Sequence, residues 1–157
     1  MGLFSFSKGA GSKTLKKEEE AKAAKISNEE VNRLKINKMM ADVNELNLPV
    51  TNLSLIINGE VVTVYGEAET QVAKELVVLT VGNNMGISSV DDRMSVVTPE
   101  PEAVFYEVKS GDSLSKIAKA QYGDANKYNA IFEANKPMLK DPNLIYPGQM
   151  LRIPQLS

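Results

Sequence analysis

Two hydrophobic periods alternate along this chain and mark out its elements. Ile36, Met39, Met40, Val43 and Leu46 recur at i, i+3, i+4, i+7 and i+10, which puts them on one face of an α-helix. Asn28 is placed to cap that helix, Glu29 and Glu30 suit its positive first turn, and Pro49 ends it. The pattern then changes to the β-branched runs Leu53–Ile57 and Val61–Tyr65, separated by Asn58-Gly59-Glu60. Asn-Gly accepts the positive φ of a tight hairpin, and Gly66 is expected to close the second strand. Helical spacing returns from Thr70 to about Thr80, with Val72, Leu76 and Leu79 on one side. Val81-Gly82-Asn83-Asn84-Met85-Gly86 interrupts it, and Ser89 to Val97 reads as a third strand. The predicted order is helix, strand, strand, helix, strand.

A second block of the same kind follows a break. Thr98-Pro99-Glu100-Pro101-Glu102 is a stiff acidic linker, short enough that the parts it joins are expected to touch. Beyond it, Tyr106-Glu107-Val108 predicts a strand, and Asp112 is expected to cap a helix from Ser113 to about Ala120. A further helix is predicted from Asn126 to Glu133 with Tyr128, Ile131 and Phe132 inward, and Met150–Ile153 returns as a strand. Roughly 50 residues is near the minimum that folds without disulfides or metals. The ladder Val108, Leu114, Ile117, Ile131, Ile145, Leu151 and Ile153 is therefore assigned to core. The whole reads as an α+β chain: an N-terminal helical arm at 1–26, a first domain at 27–97, a linker at 98–103 and a second domain at 104–155.

Composition narrows the function classes. The 157 residues carry a formal net charge of −2, with a pI near 5.3, and neither Cys nor His. Disulfides, thiolate or imidazole metal sites and imidazole-dependent nucleophiles are excluded. Lys8, Lys13, Lys16, Lys17, Lys22 and Lys25 are interrupted by Glu18, Glu19 and Glu20. This is the charge pattern of a solvated helix rather than a nucleic-acid or membrane patch. Residues 1–8 lack the charged start and apolar run of a signal peptide, and Phe6 occupies the position where a myristoylation signal needs Ser or Thr. No run approaches a membrane span, so the protein is expected in the cytoplasm. Asp91 and Asp92 are the one adjacent aspartate pair. Neighbours on a strand point to opposite faces and cannot share a substrate or proton, so a binding protein rather than an enzyme is expected.

From Val104 to Pro154 the order Tyr106-Glu107-Val108, Lys109-Ser110-Gly111-Asp112-Ser113-Leu114, Tyr122-Gly123, Asn135, Asp141-Pro142-Asn143 and Ile145-Tyr146-Pro147-Gly148-Gln149 resembles the LysM domain. The resemblance implies a βααβ fold and a shallow saccharide groove in which Gly111, Asp112, Ser113 and Leu114 face Leu144, Ile145, Tyr146 and Pro147. Helix capping by Asp112 and turns at Gly111 and Pro147-Gly148 explain the same residues without a ligand. Asn58-Gly59, Val61, Val64, Gly66, Ala73 and Gly86-Ile87-Ser88-Ser89-Val90-Asp91 are similar to the BON domain, implying αββαβ for the first block.

The N-terminal Met1-Gly2-Leu3-Phe4, Phe6, Lys8 and Ala10-Gly11 extend the likeness. With Val81-Gly82-Asn83, Gly86-Ile87, Ser89-Val90-Asp91-Asp92 and Ile131-Phe132-Glu133-Ala134-Asn135-Lys136-Pro137, nearly the whole chain resembles the cytoplasmic bacterial potassium-binding proteins. That family binds K⁺ through backbone oxygens. By resemblance the ligands here are the carbonyls of Ser7, Ala10, Gly82, Met85 and Ile87, with Gly86 supplying the bend. Neutral carbonyls suit a large, weakly hydrated monovalent cation better than Mg²⁺ or Ca²⁺. The resemblance implies closure of the two domains and ordering of residues 1–11 on binding, with a monomer as the expected state. A peptidoglycan-fragment or N-acetylglucosamine adaptor is the alternative, and a scaffold that binds neither ion nor sugar is a third reading.

Overall fold

The computed structural model describes residues 2–6 and 28–156. Strand β1 (Gly2–Ser5) precedes helix α1 (Asn28–Glu45), the hairpin strands β2 (Val50–Asn58) and β3 (Val61–Thr70), helix α2 (Gln71–Gly82) and strand β4 (Ser89–Thr98). The second block has β5 (Val104–Glu107), α3 (Leu114–Tyr122), a 3₁₀ turn (Ala125–Lys127), α4 (Tyr128–Ala134) and β6 (Met150–Ile153). The fold is α+β, and the helix, strand, strand, helix, strand order of the first block is present.

One strand was not foreseen. Residues 2–5 are not part of a helical arm but a strand, antiparallel to β4 at the edge of a four-stranded sheet ordered β1-β4-β3-β2. The remainder of the expected arm lies outside the described residues. β3 and β4 are parallel, so they need a crossover, and α2 provides it. This topology leaves the C-terminal end of α2 beside the start of β4, with β1 alongside.

Three local expectations shift. Asn58 is still paired, with Val61, so the turn is Gly59-Glu60. Only Gly59 has positive φ (64°), the type II′ pattern with glycine first. Gly66 does not end β3. The strand runs on to Thr70 past a register shift between Thr51 and Ser54 of β2. A Cβ at Gly66 would stand 3.3 Å from Leu53 Cα and Thr51 O, so glycine lets the bulged strand come close. In the second block Ser113, not Asp112, caps α3: its hydroxyl accepts from Lys116 N–H, and its backbone is extended while that of Leu114 is helical. The carboxylate of Asp112 instead accepts from Lys109 N–H and the Tyr106 hydroxyl.

Leu55, Val62, Val64, Ala68, Val90 and Met94 of the sheet pack against Met39 and Val43 of α1 and Ala73, Val77, Val78 and Val81 of α2. The second core contains Val108, Leu114, Ile117, Ile131, Leu151 and Ile153, with half-buried Ile145 against it. Six of the seven predicted ladder positions are thus buried and the seventh packs on them. α2 carries the joint. It packs on β3 and β4 on one side and reaches α1 and β6 on the others, which explains why nine of its residues are buried.

The two blocks do touch. Glu75, 3% exposed, receives the Arg152 guanidinium at 2.8 Å. Its other oxygen accepts from Gln71 Nε2 at 2.9 Å and from Ala103 N–H in the linker at 3.2 Å. Every formal charge in this buried cluster has a hydrogen-bonded partner, which is the condition under which such a pair is tolerated. Phe4 and Phe105 bring their rings to 5.2 Å at the same joint.

Candidate functional site

The turn from Gly82 to Ser88 is fixed from three directions. α2 runs straight into it. Asn83 N–H donates to Leu79 O at 2.9 Å, and the Asn84 carboxamide folds back to donate to Thr80 O at 2.9 Å. Ile87, 1% exposed, plugs the first core, while Gly86 turns the chain at φ 93°. At the far side Ser88 N–H donates to Glu60 O, and Ser88 O accepts from Phe6 N–H at 2.7 Å. The Phe6 ring then covers Gly82 so closely that a Cβ there would be 2.0 Å from Phe6 Cζ. Gly82 is glycine because of the ring above it. Its backbone is helical, with no positive φ.

These bonds leave particular oxygens unspent. Among the described residues, no donor reaches the carbonyls of Gly82, Met85 or Ile87. Asn84 Oδ1 and Thr80 Oγ1 are buried without a partner. The C-terminus of a helix carries partial negative charge, and the last turn of α2 holds no basic residue to offset it. These are neutral oxygens at the negative end of a helix dipole, an arrangement that favours a cation. A divalent ion would want carboxylates, and the described residues contain no cluster of three or more His, Cys, Asp or Glu side chains able to hold a metal. Of the sequence-predicted ligands, Gly82, Met85 and Ile87 lie in this turn, with Gly86 at its bend. Ser7 and Ala10 lie outside the described residues, and the chain leaves those residues at Phe6, which rests against Gly82.

The LysM-type positions are arranged differently. Val108 N–H donates to Gln149 O and Gly148 N–H to Val108 O, both at 2.8 Å, so the loop after β5 lies beside the segment before β6. Gly111 O is occupied by Lys116 Nζ at 3.0 Å, Ser113 by the α3 cap, and Asp112 by Tyr106 and Lys109. Leu114 is buried in the core and cannot offer its face to a sugar. Ile145 is half-buried against that same core and Pro147 is exposed. Leu144 and Tyr146 line a cleft of about 400 Å³ shared with the C-terminal ends of α1 and α2. Burial pushes the Tyr146 phenol up to about 12. The predicted groove is thus split between a core, a self-bonded loop and an inter-block cleft.

Sequence reasoning gave no positioning role to Asn83 or Phe6. Asp92 is buried, with Lys74 Nζ 3.2 Å away and Met94 N–H bonded to its carboxylate. Asp91 lies on the other face against Arg93, so the two aspartates do part as strand alternation requires. Phe6 followed a Phe-x-Phe alternation too short to read as a strand.

The likeness to known proteins runs the length of the chain. It is 46% identical over 160 residues to the potassium binding protein Kbp of Escherichia coli O6:H1, with 99% of each chain covered. The chain belongs to the Kbp family. Residues 106–154 match the LysM domain model, so this Kbp-family chain carries a LysM domain after its sheet-and-helix block. A 49-residue stretch is also 55% identical to an uncharacterized protein of Deinococcus radiodurans, covering 31% of this chain and 19% of that protein. No helix among the described residues is long and apolar enough to cross a membrane.

Proposed function

We propose that this protein binds K⁺ at the Gly82–Ile87 turn, through the carbonyls of Gly82, Met85 and Ile87 together with those of Ser7 and Ala10. The observation that carries the reading is the set of neutral oxygens without a donor at the uncompensated C-terminus of α2. The name of the Escherichia coli relative, a potassium binding protein, points the same way. In this reading the protein is a cytoplasmic, monomeric ion sensor and not an enzyme. The ion gathers residues 1–11 onto the turn and favours the closed arrangement of the two blocks by binding that arrangement more tightly.

Calorimetric titration with KCl in a sodium buffer tests it. Wild type should bind with one site, and Gly86→Val, strained at φ 93°, should weaken binding more than tenfold with the fold retained. A silent titration of the folded wild type overturns the reading. The LysM match supports a second reading, recognition of peptidoglycan fragments. Binding of N-acetylglucosamine oligomers with no response to K⁺ would favour it.

A further inference from the structure

Asn83 stands between two of the proposed ligand carbonyls and yet spends its side chain elsewhere. Its Nδ2 donates to Met150 O at 3.0 Å, and Met150 N–H donates to its Oδ1 at 2.8 Å. The carboxamide thus pairs both ways with one residue of β6, 67 positions away, as a neighbouring strand would. Asn135 does the same one step along, its Oδ1 accepting from Arg152 N–H and its Nδ2 donating to Arg152 O. Two asparagines therefore complete the open edge of β6, one from within the LysM domain and one from the turn.

The two anchors differ in consequence. Asn135 belongs to the core it braces. The backbone of Asn83 is held by α2 while its side chain is held by β6, so the peptide planes on either side of it are set by both blocks at once. Only a side chain with a donor and an acceptor at this reach can do this: aspartate lacks the N–H, leucine lacks both groups and glutamine is one methylene too long.

We propose that Asn83 is a positioning residue for the ion site: by clamping the Met150 backbone it orients the Gly82 carbonyl, and so makes ion affinity depend on the docking of the LysM domain. The proposal rests on the reading of the turn as a K⁺ site. Linkage is reciprocal, so the ion tightens the dock by the same factor that the dock tightens the ion. The partner is the chain's own β6, and no carboxylate or cation enters the clamp.

The test compares K⁺ titrations of wild type, Asn83→Ala, Met150→Pro and the double variant, with urea unfolding in K⁺-free sodium buffer alongside. Losing two neutral hydrogen bonds is expected to weaken K⁺ about tenfold in Asn83→Ala. Met150→Pro deletes one of the two bonds, that from Met150 N–H to Asn83 Oδ1, from the far side without changing a turn residue, and Met150→Ala, which keeps the backbone N–H, controls for the lost side chain. The clamp requires that Asn83→Ala and Met150→Pro each lose affinity, that the double variant lose little more than either, and that Met150→Ala bind nearly as wild type. Wild-type affinity in a folded Asn83→Ala or Met150→Pro protein, or fully additive losses, would overturn the clamp while leaving the ion site standing. A wild type that binds no K⁺ would overturn the site and the clamp together.

Discussion

Two loops in this protein look alike in composition and differ in what they have left to offer. The turn after α2 (Gly82–Ile87) and the loop before α3 (Lys109–Ser113) are both short, polar and glycine-bearing, and both adjoin a helix end. In the second, Asp112, Ser113 and the Gly111 carbonyl all have donors, supplied by β5, the loop itself and α3. In the first, bonding runs outward to β6 and back to α2 and leaves carbonyls without donors. A ligand site requires groups whose bonding is incomplete in the fold. By that criterion the α2 turn suits the proposed ion site better than the LysM-domain loop does.

Perturbing each region should expose the contrast. The largest effect is expected where the two blocks meet: Arg152→Ala strands the buried Glu75 carboxylate and should cost about 3–5 kcal/mol in urea unfolding. Next, Gly82→Ala pushes into the Phe6 ring and should cost about 1–3 kcal/mol as overpacking. Adding Phe6→Ala should recover part of the space but not K⁺ binding. Asp112→Ala removes two hydrogen bonds from a part-exposed loop, for about 1–2 kcal/mol, and should leave K⁺ affinity at the wild-type value. Parity between Gly82→Ala and Asp112→Ala in ion binding would break the comparison. Lys140→Ala should change stability by less than about 0.5 kcal/mol, since its contact with Glu45 is long and exposed on both sides.

The loop also has a pH signature that the turn lacks. The Tyr106 hydroxyl and the Lys109 N–H hold the Asp112 carboxyl below its usual 3.8. Its contribution is therefore complete above 3.8 and lost as pH falls through the lower folded value. The same hydrogen bond and burial raise the Tyr106 phenol from 10.0 to about 12. That contribution is complete below 10.0 and lost as pH climbs towards 12. In Asp112→Ala the acid limb due to Asp112 and the part of the alkaline limb due to Tyr106 should both flatten, while the buried Tyr146 keeps its own alkaline loss.

Period and turn chemistry made most of the fold legible. Helical spacing found α1 and α2, β-branched runs around Asn-Gly found the β2–β3 hairpin, and the ladder from Val108 to Ile153 found the second core. Failures came where a decision depends on one residue of register or on a partner far away. Asp112 and Ser113 are both good caps, and the bond from Tyr106 decided between them. β1 has four residues, too few for a period, and exists because β4 has an open edge. At the site, glycines marked the turn correctly, but for Gly82 the reason is a ring from residue 6. Asn83 gave no local signal, because its two bonds reach across 67 residues.

Thermal unfolding in K⁺-free buffer, repeated with equal concentrations of added KCl or NaCl, tests the central claim most directly. A ligand that binds the folded state adds about 2.7 kcal/mol at 100 times its dissociation constant. This is several degrees of melting temperature for a chain of this size. The account predicts that rise with KCl and not with NaCl. Superimposable curves in the two salts would contradict it.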